Sequence, residues 1–325
     1  INVTYDSSVA NAPASFKTAI TAAVQWLESH FTDPITININ VGWGEVGGQT
    51  LDPGALGESL TYLSSYSYTQ IHNALVADAK TSDDASAVAS LPSSAPKSGT
   101  YWVSTAEAKA VGLTASSSAT DGYVGFSSGV TWDYDNSNGV TGGQYDFIGT
   151  FLHEVTEVMG RSLLVGGTIG STTNSYDVLD LLHYSAPNTH IFTGSTPGYF
   201  SVDGGTTNLK PFNTVAGGDY GDWDFSAGSD SFLAFSSSGV ANTVSAADIT
   251  VMDAIGWDAA QSGPSAPSIT SFTPDTGVQG DKITSAANLT LGGTAAANST
   301  VKVYEGTTLL GSVTTDSSGN WSVSL

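Results

Sequence analysis

A chain of 325 residues with a formal net charge of −22 is long enough for one sizeable domain and a smaller second one. Its 30 acidic residues stand against 8 Lys and Arg, and such a field repels phosphate backbones and anionic lipids, which argues against nucleic-acid binding. The absence of cysteine excludes disulfides and thiolate ligands, and no apolar run is long enough to predict insertion into a membrane.

The first half of the chain alternates between strand and helix patterns. The predicted elements are a strand at 1–5, a helix at 14–31, a strand at 35–41, a mainly helical stretch at 56–79, short helices at 83–89 and 104–112, a strand at 122–127 and a helix at 145–160. The stretch 56–79 is assigned to helix because Tyr62, Tyr66, Ile71 and Leu75 share one face. This alternation predicts an α+β domain built on a mixed sheet.

The second half of the chain changes character twice. Residues 171–238 are rich in glycine and turn formers, and a helix is predicted at 245–257. The stretch 262–268 has the composition of a linker, and strand patterns typical of an all-β sandwich follow it. We therefore expect a first domain at 1–261, a linker at 262–268 and an all-β domain at 269–325.

The predicted sandwich is incomplete. Such a domain normally has about seven strands, and only about five strand patterns fit before Leu325. The favoured explanation is that the chain is a fragment, and the alternative is that another chain supplies the final strand by β-augmentation. Self-association through this domain or through sheet edges is a further expectation.

The segment FLHEVTEVMGR at 151–161 carries the strongest chemical signal. His153 and Glu157 lie four residues apart, hence on one face of a helix, with Glu154 beside them. This is the layout of H-E-x-x-H, in which two helix residues bind zinc and the glutamate activates water, with Glu157 in place of the second histidine. Because zinc also accepts carboxylate oxygen, the pattern predicts His153 and Glu157 as ligands and Glu154 as general base.

A metal-free alternative stays open at the same segment. Arg161 is the only arginine of the chain and follows Glu157 by four residues. The helix is apolar nearly all round, so its charged residues should be buried, and buried charges need partners. An internal Glu157–Arg161 ion pair would satisfy Glu157 without any metal.

Several stretches resemble secreted bacterial metalloprotease-like proteins related to the metzincins and serralysins. They are DGYVGFSS, GQYDFIGTFLHEVTEVMGR, LDLLHYSAP, YFSVDGGTTNLKPFNT, GGDYGDWD and SAADITVMDAIGWD, which together cover most of residues 1–260. The resemblance implies a zincin fold whose active-site helix ends at Gly160. It also implies that the GYVGFS strand is the sheet edge along which an extended peptide substrate lies. The tail from Pro267 resembles bacterial Ig-like repeats of exported proteins.

The resemblance leaves the third zinc ligand open. A metzincin has a histidine six residues after the second ligand, where this chain has Leu163. Two replacements are Asp180, in the segment that resembles the family, and His183, which is chemically the better zinc ligand. Tyr184 could stabilise an oxyanion. The alternatives are that Asp180 caps a turn, His183 lies on the surface and Tyr184 belongs to the core.

Two acidic loops suggest calcium. Asp133, Asp135 and Asn138 place oxygen ligands around a glycine-bearing turn, and Asp219 and Asp222 form a second cluster. Aspartate and asparagine that form turns without a metal are the alternative for both loops.

Two functions from different classes fit these features. The leading expectation is a zinc-dependent endopeptidase, extracellular or on the cell surface, with peptide or protein substrates and with calcium as a second cofactor. The rival is a catalytically weak or inactive zincin-fold module in a surface, adhesive or filament-forming protein, because fold does not fix function.

Overall fold

The structure is a computed structural model that describes residues 1–260, 267–278, 280–281, 283–297 and 299–325. The chain divides into two units, Ile1–Ala260 and Gln261–Leu325. The predicted boundary lay after residue 261, and residues 262–266 of the predicted linker lie outside the described residues.

Helices and strands mix throughout the first unit. Its helices are α1 (Ala14–His30), α2 (Tyr68–Asp78), α3 (Ser82–Ser90), α4 (Thr105–Ala110), α5 (Phe147–Val158) and α6 (Ala246–Ala254). Its strands are β1 (Asn2–Tyr5), β2 (Asn38–Trp43), β3 (Glu45–Val46), β4 (Gln49–Thr50), β5 (Gly57–Thr61), β6 (Leu63–Tyr66), β7 (Thr100–Ser104), β8 (Gly122–Phe126), β9 (Trp132–Asp133), β10 (Tyr145–Asp146), β11 (Gly167–Ile169), β12 (Thr172–Tyr176), β13 (His183–Ala186), β14 (Thr189–His190), β15 (Tyr199–Phe200) and β16 (Lys210–Pro211). The predicted mixture of helices and sheets is confirmed.

The sheet that supports α5 has the order β1-β2-β8-β5. β1, β2 and β8 run parallel, and β5 joins antiparallel to β8 at one edge. Two further four-stranded sheets have the orders β11-β12-β7-β6 and β14-β13-β15-β16. The first sheet is therefore mixed, with a short antiparallel edge strand.

The assignment of 56–79 to one helix was wrong in its first half. Gly57–Thr61 and Leu63–Tyr66 are strands, and the helix begins only at Tyr68, after Ser67 forms a capping box with Gln70. The segment GESLTYLSSY contains one threonine and two tyrosines, residues that favour strands, and pairing with β8 and β7 satisfies its backbone. The helical spacing of its aromatic residues was coincidental.

An aromatic core holds α5 against this sheet. The ring centroid of Phe16, on α1, lies 5.0 Å from those of Trp43 and Phe147 and 6.0 Å from that of Phe126. Phe126 also stacks on Phe151, one turn along α5 from Phe147, at 5.7 Å. Side chains of α1, β2, β8 and α5 thus interlock, and α5 is buried on a fixed support.

A buried carboxyl group lies beneath the end of α5. Glu107, on α4, is 1% exposed, and its Oε2 lies so close to Gly160 that a Cβ there would stand 2.4 Å away. Gly160 has φ of +108°, a conformation that also favours glycine. Burial raises the pKa of Glu107 well above its usual 4.5, against a smaller opposing effect of the Ser104 backbone amide.

We expect Glu107→Gln to stabilise the protein at neutral pH. The folded state keeps a proton on Glu107 that the unfolded chain releases above pH 4.5, so wild-type stability falls as pH rises from there toward the folded-state pKa. Glutamine mimics the neutral acid, so its advantage in unfolding free energy should grow by about 1.4 kcal/mol per pH unit in that window. Urea denaturation from pH 4 to 8 measures this. A constant difference across that range contradicts it.

The second unit consists of five strands in its described part. They are β17 (Ser268–Thr273), β18 (Thr290–Thr294), β19 (Thr300–Glu305), β20 (Thr308–Thr314) and β21 (Asn320–Ser324). β17, β18 and β21 form an antiparallel sheet, and β19 and β20 form a hairpin. Leu291, Val301 and Trp321 are its buried apolar residues. Across both units, no helix among the described residues is long and apolar enough to cross a bilayer.

Candidate metal centre

The chain anchors the start of α5 from two sides. Asp146 is buried, and its carboxylate accepts hydrogen bonds from the backbone amides of Gly149 (3.1 Å) and Asn242 (2.9 Å) and from the side-chain amide of Asn136. The first of these is an N-cap, and the other two tie loops from before and after the helix to its first turn. The residues one and two turns further along are therefore held in place.

Three side chains converge beside α5. Nε2 of His153 lies 3.3 Å from Oε1 of Glu157 and 3.4 Å from Oδ1 of Asp222. One ligand atom of each residue falls within 4.8 Å of the others, and this is the only such group found among the described residues. The sequence had assigned Asp222 to a calcium loop, whereas the structure places it with the helix pair.

A backbone carbonyl fixes the orientation of His153. Its Nδ1 lies 2.9 Å from the carbonyl oxygen of Ser231, which can only accept a hydrogen bond. Nδ1 therefore carries a hydrogen, and Nε2 is the atom directed at the carboxylates of Glu157 and Asp222. The hydroxyl of Ser231 donates to the carbonyl of Gly149 (2.8 Å), so the same residue also attaches its loop to α5.

Arg161 stands behind the three groups and is completely buried. Its Nη1 donates to Oδ1 of Asp222 at 2.6 Å, whereas Nη2 is 3.6 Å from Oε1 of Glu157. Its guanidinium also lies 4.2 Å from the ring centre of Phe232. The ion pair expected with Glu157 is thus the longer of two, and Asp222 is the main partner.

The charges of this cluster act on one another. Burial alone would raise the pKa of Asp222, but His153 and Arg161 hold it below its usual value. Burial, and then the charge of Glu157, raise the pKa of Glu154 well above its usual range. Ser59 supports Glu157 from β5 by donating its hydroxyl to Oε2 at 2.8 Å.

Glu154 lies between the three converging groups and the edge strand. The described residues show no hydrogen bond to its carboxylate, and it lines an open cleft of about 620 Å³ together with His153, Glu157 and Asp222. A Cβ on Gly57 would stand 2.6 Å from its Oε1, so only glycine at this position lets β5 pass so close. The cleft is walled by residues 52–59 on one side and by residues of 217–236 on the other.

The strand expected at the sheet edge is an interior strand. β8, which contains the GYVGFS segment, pairs with β2 on one side and with β5 on the other. The edge beside the cleft is β5, which sequence patterns had assigned to a helix. The apolar–polar alternation of β5 is weak because the residues that face α5 are Gly57, which has no side chain, and Ser59, which has a small one.

The other candidates for the third ligand lie outside the cleft. Both carboxylate oxygens of Asp180 accept backbone hydrogen bonds, among them those of Leu164 and Val165 at 3.0–3.3 Å. His183 is buried against Phe212, and burial lowers its pKa to about 4. Neither residue is among those that line the cleft or that form the converging group.

The residues that Tyr184 contacts also lie outside this cleft. It is fully buried, its hydroxyl lies 3.3 Å from that of Ser90, and its ring packs against His190. These contacts match the alternative of a core tyrosine, and the residue does not line the cleft.

The first acidic loop is held by turn hydrogen bonds. Asp133 accepts from the backbone amides of Asp135 (3.1 Å) and Thr141 (2.9 Å), and Asp135 accepts from Ser137. Asn138 is exposed in a short 3₁₀ turn. Within the described residues, neither Asp133 nor Asp135 belongs to a group of three or more His, Asp or Glu side chains close enough to share an ion. In the second cluster, Asp219 is exposed as a residue in the cleft wall, but its carboxylate is partly shielded from solvent there. This desolvation, together with the charges of Glu157 and Asp222, raises the pKa of Asp219 to about 6.

No family model, curated protein or solved structure matches this chain.

Proposed function

We propose that residues 1–260 form a zincin-type metallopeptidase that hydrolyses peptide bonds of proteins. One observation carries this proposal: a histidine nitrogen and two carboxylates converge within 4.8 Å at the floor of an open cleft, with a third carboxylate, Glu154, beside them. His153, Glu157 and Asp222 would be the ligands. Asp222 takes the place expected for Asp180 or His183.

The donor set suits Zn²⁺. Imidazole nitrogen and carboxylate oxygen are both ligands that zinc accepts, and three protein ligands leave a position open for catalysis. The Ser231 carbonyl directs Nε2 of His153 toward the other two donors, as outer hydrogen bonds commonly do for zinc-bound histidine. Arg161 offsets part of the charge of the two carboxylates and orients Asp222. A bound ion would supply polarisation of the scissile carbonyl and a lowered pKa for water at this site.

Glu154 is the base in this proposal. Its carboxylate reaches the cleft without a competing hydrogen bond among the described residues, so it can take a proton from the attacking water. The same group returns that proton to the amine nitrogen as the peptide bond breaks.

The edge strand β5 supports a polypeptide as substrate. Among the described residues β5 pairs with β8 alone, so its other side offers backbone donors and acceptors next to Glu154. An extended peptide can pair with such an edge regardless of its sequence.

We expect purified protein to contain about one zinc ion per chain, and each of His153→Ala, Glu157→Ala and Asp222→Asn to lose it. Elemental mass spectrometry of the folded proteins measures this. Asp133→Asn is the matched control, because it removes one carboxylate from an exposed loop and should retain zinc. Zinc retained in Asp222→Asn, or lost only in His183 or Asp180 variants, contradicts the ligand set.

A metal-free structural module is the second candidate, and the position of Arg161 favours it. Arg161 and a protonated His153 could balance the charges of Glu157 and Asp222 without any ion. In that case the zincin-type fold would serve as a surface, adhesive or filament-forming protein. Protein that folds with no transition metal, and whose denaturation midpoint does not respond to added zinc, supports this candidate.

The second unit fits an Ig-like domain of an exported protein. Its antiparallel sheet, its hairpin and its small shared core are compatible with part of a β-sandwich. Location outside the cell or on its surface is proposed from the acidity of the chain, its lack of cysteine and this unit.

A further inference from the structure

One wall of the cleft combines a half-exposed aromatic ring with a free carboxylate. Phe235 is 50% exposed, and a Cβ on Gly218 would lie 2.8 Å from its Cζ, so the ring touches the backbone just before Asp219. Gly218, Asp219 and Phe235 all line the cleft together with His153 and Glu157. The ring and the carboxylate are therefore neighbours on the same wall.

Asp219 is available for a ligand. Its backbone carbonyl accepts hydrogen bonds from Asn213 and Asp222, but no hydrogen bond or ion pair involves its carboxylate among the described residues. By contrast, the carboxylate of Glu58 on the opposite wall already accepts the backbone amide of Asp52.

The cleft as a whole attracts positive charge. As far as the structure describes the chain, its lining contains six carboxylates and neither lysine nor arginine. They are Asp52, Glu58, Glu154, Glu157, Asp219 and Asp222. A divalent ion and the buried Arg161 together would contribute three positive charges, so the formal balance stays negative. Charge of one sign in a cleft raises the local concentration of oppositely charged substrates.

We propose that the wall formed by Asp219 and Phe235 binds a Lys or Arg side chain of the substrate close to the scissile bond. The methylene stem or the cation packs on the ring face, and the charged end pairs with Asp219. This inference rests on the proposed peptidase function and adds the substrate class: polypeptides with basic residues at the cleavage site.

The test compares one substrate pair that differs only in charge. The zinc-loaded full chain is first incubated with a mixed peptide library, and cleavage sites are mapped by mass spectrometry. A cleaved peptide is then resynthesised with its lysine replaced by norleucine, which keeps most of the stem. We expect a kcat/KM about tenfold higher for the lysine peptide, declining as salt rises.

Two variants locate the preference. Asp219→Asn should bring the lysine-to-norleucine ratio of kcat/KM close to one, whereas Phe235→Ala should lower kcat/KM for both peptides, because the stem that packs on the ring is common to both. Glu305→Gln is the matched control, because it removes an exposed carboxylate of the second unit and should keep the tenfold ratio.

Binding of non-cleavable versions of both peptides separates the two proposals. Selective binding of the lysine peptide without any cleavage supports the basic-residue site and removes the peptidase function. Cleavage without selectivity overturns the basic-residue site and keeps the peptidase. If neither binding nor cleavage distinguishes the peptides and no peptide is cut, both proposals fail.

Discussion

Replacing Glu154 by glutamine is expected to lower kcat for peptide hydrolysis by about 10²- to 10⁴-fold, the usual contribution of general acid–base catalysis. Glutamine fills the same space next to Gly57 but can neither take a proton from water nor return it to the leaving amine. Zinc content should stay at the wild-type level, because Glu154 does not belong to the converging group of His153, Glu157 and Asp222.

Glu58→Gln provides the control for this variant. Glu58 lines the same cleft, but its carboxylate accepts the Asp52 amide, so its loss should change kcat far less. Steady-state kinetics and elemental analysis are measured on the same preparations. An active Glu154→Gln enzyme would falsify the assignment of the base, and loss of zinc would show that Glu154 is a ligand.

Replacing Arg161 by methionine is expected to reduce the unfolding free energy of the metal-free protein by about 3–5 kcal/mol, as for other broken buried ion pairs. The change leaves the buried carboxylate of Asp222 without its 2.6 Å partner. It also removes the hydrogen bonds that Arg161 donates to the Thr156 hydroxyl and to the His153 carbonyl. Arg161→Lys keeps the charge but loses the planar fork, so its loss should be intermediate.

Urea denaturation in the presence of a chelator measures the Arg161 variants without the contribution of bound metal. Lys97→Met is the control, because Lys97 is exposed and its side chain forms no ion pair within the described part of the chain, so a change within about 0.5 kcal/mol is expected. If Arg161→Met lowers the unfolding free energy as little as Lys97→Met does, Asp222 finds another partner in the variant.

Local periodicity predicted the elements that bury the most apolar side chains in the core. The helix predicted at 145–160 is observed at Phe147–Val158, because nearly all of its faces are apolar and Asp146 supplies a cap. The strands and helix in 56–79 were not separated, because the segment has aromatic residues at helical spacing and its pairing partners lie far away in sequence. Only contact with β7 and β8 decides its conformation.

The residues of the candidate site also differ in whether the sequence alone could reveal them. His153, Glu154 and Glu157 could be found from spacing, because one helical turn brings them together whatever the rest of the chain does. Asp222 could not, because a glycine-rich loop with few regular elements brings it to the helix from 65 positions beyond Glu157. Proximity in sequence likewise favoured Glu157 as the partner of Arg161, whereas the closer carboxylate is the distant one.

The atom that orients His153 belongs to the main chain, and this has a consequence for mutational tolerance. Substitution at Ser231 changes the hydroxyl that reaches Gly149 but leaves the carbonyl oxygen that accepts from Nδ1. The orientation of the imidazole is therefore insensitive to side-chain identity at the residue that provides its acceptor. It depends instead on the path of the loop, so insertions, deletions or a proline near residue 231 are the changes to which the site should be most vulnerable.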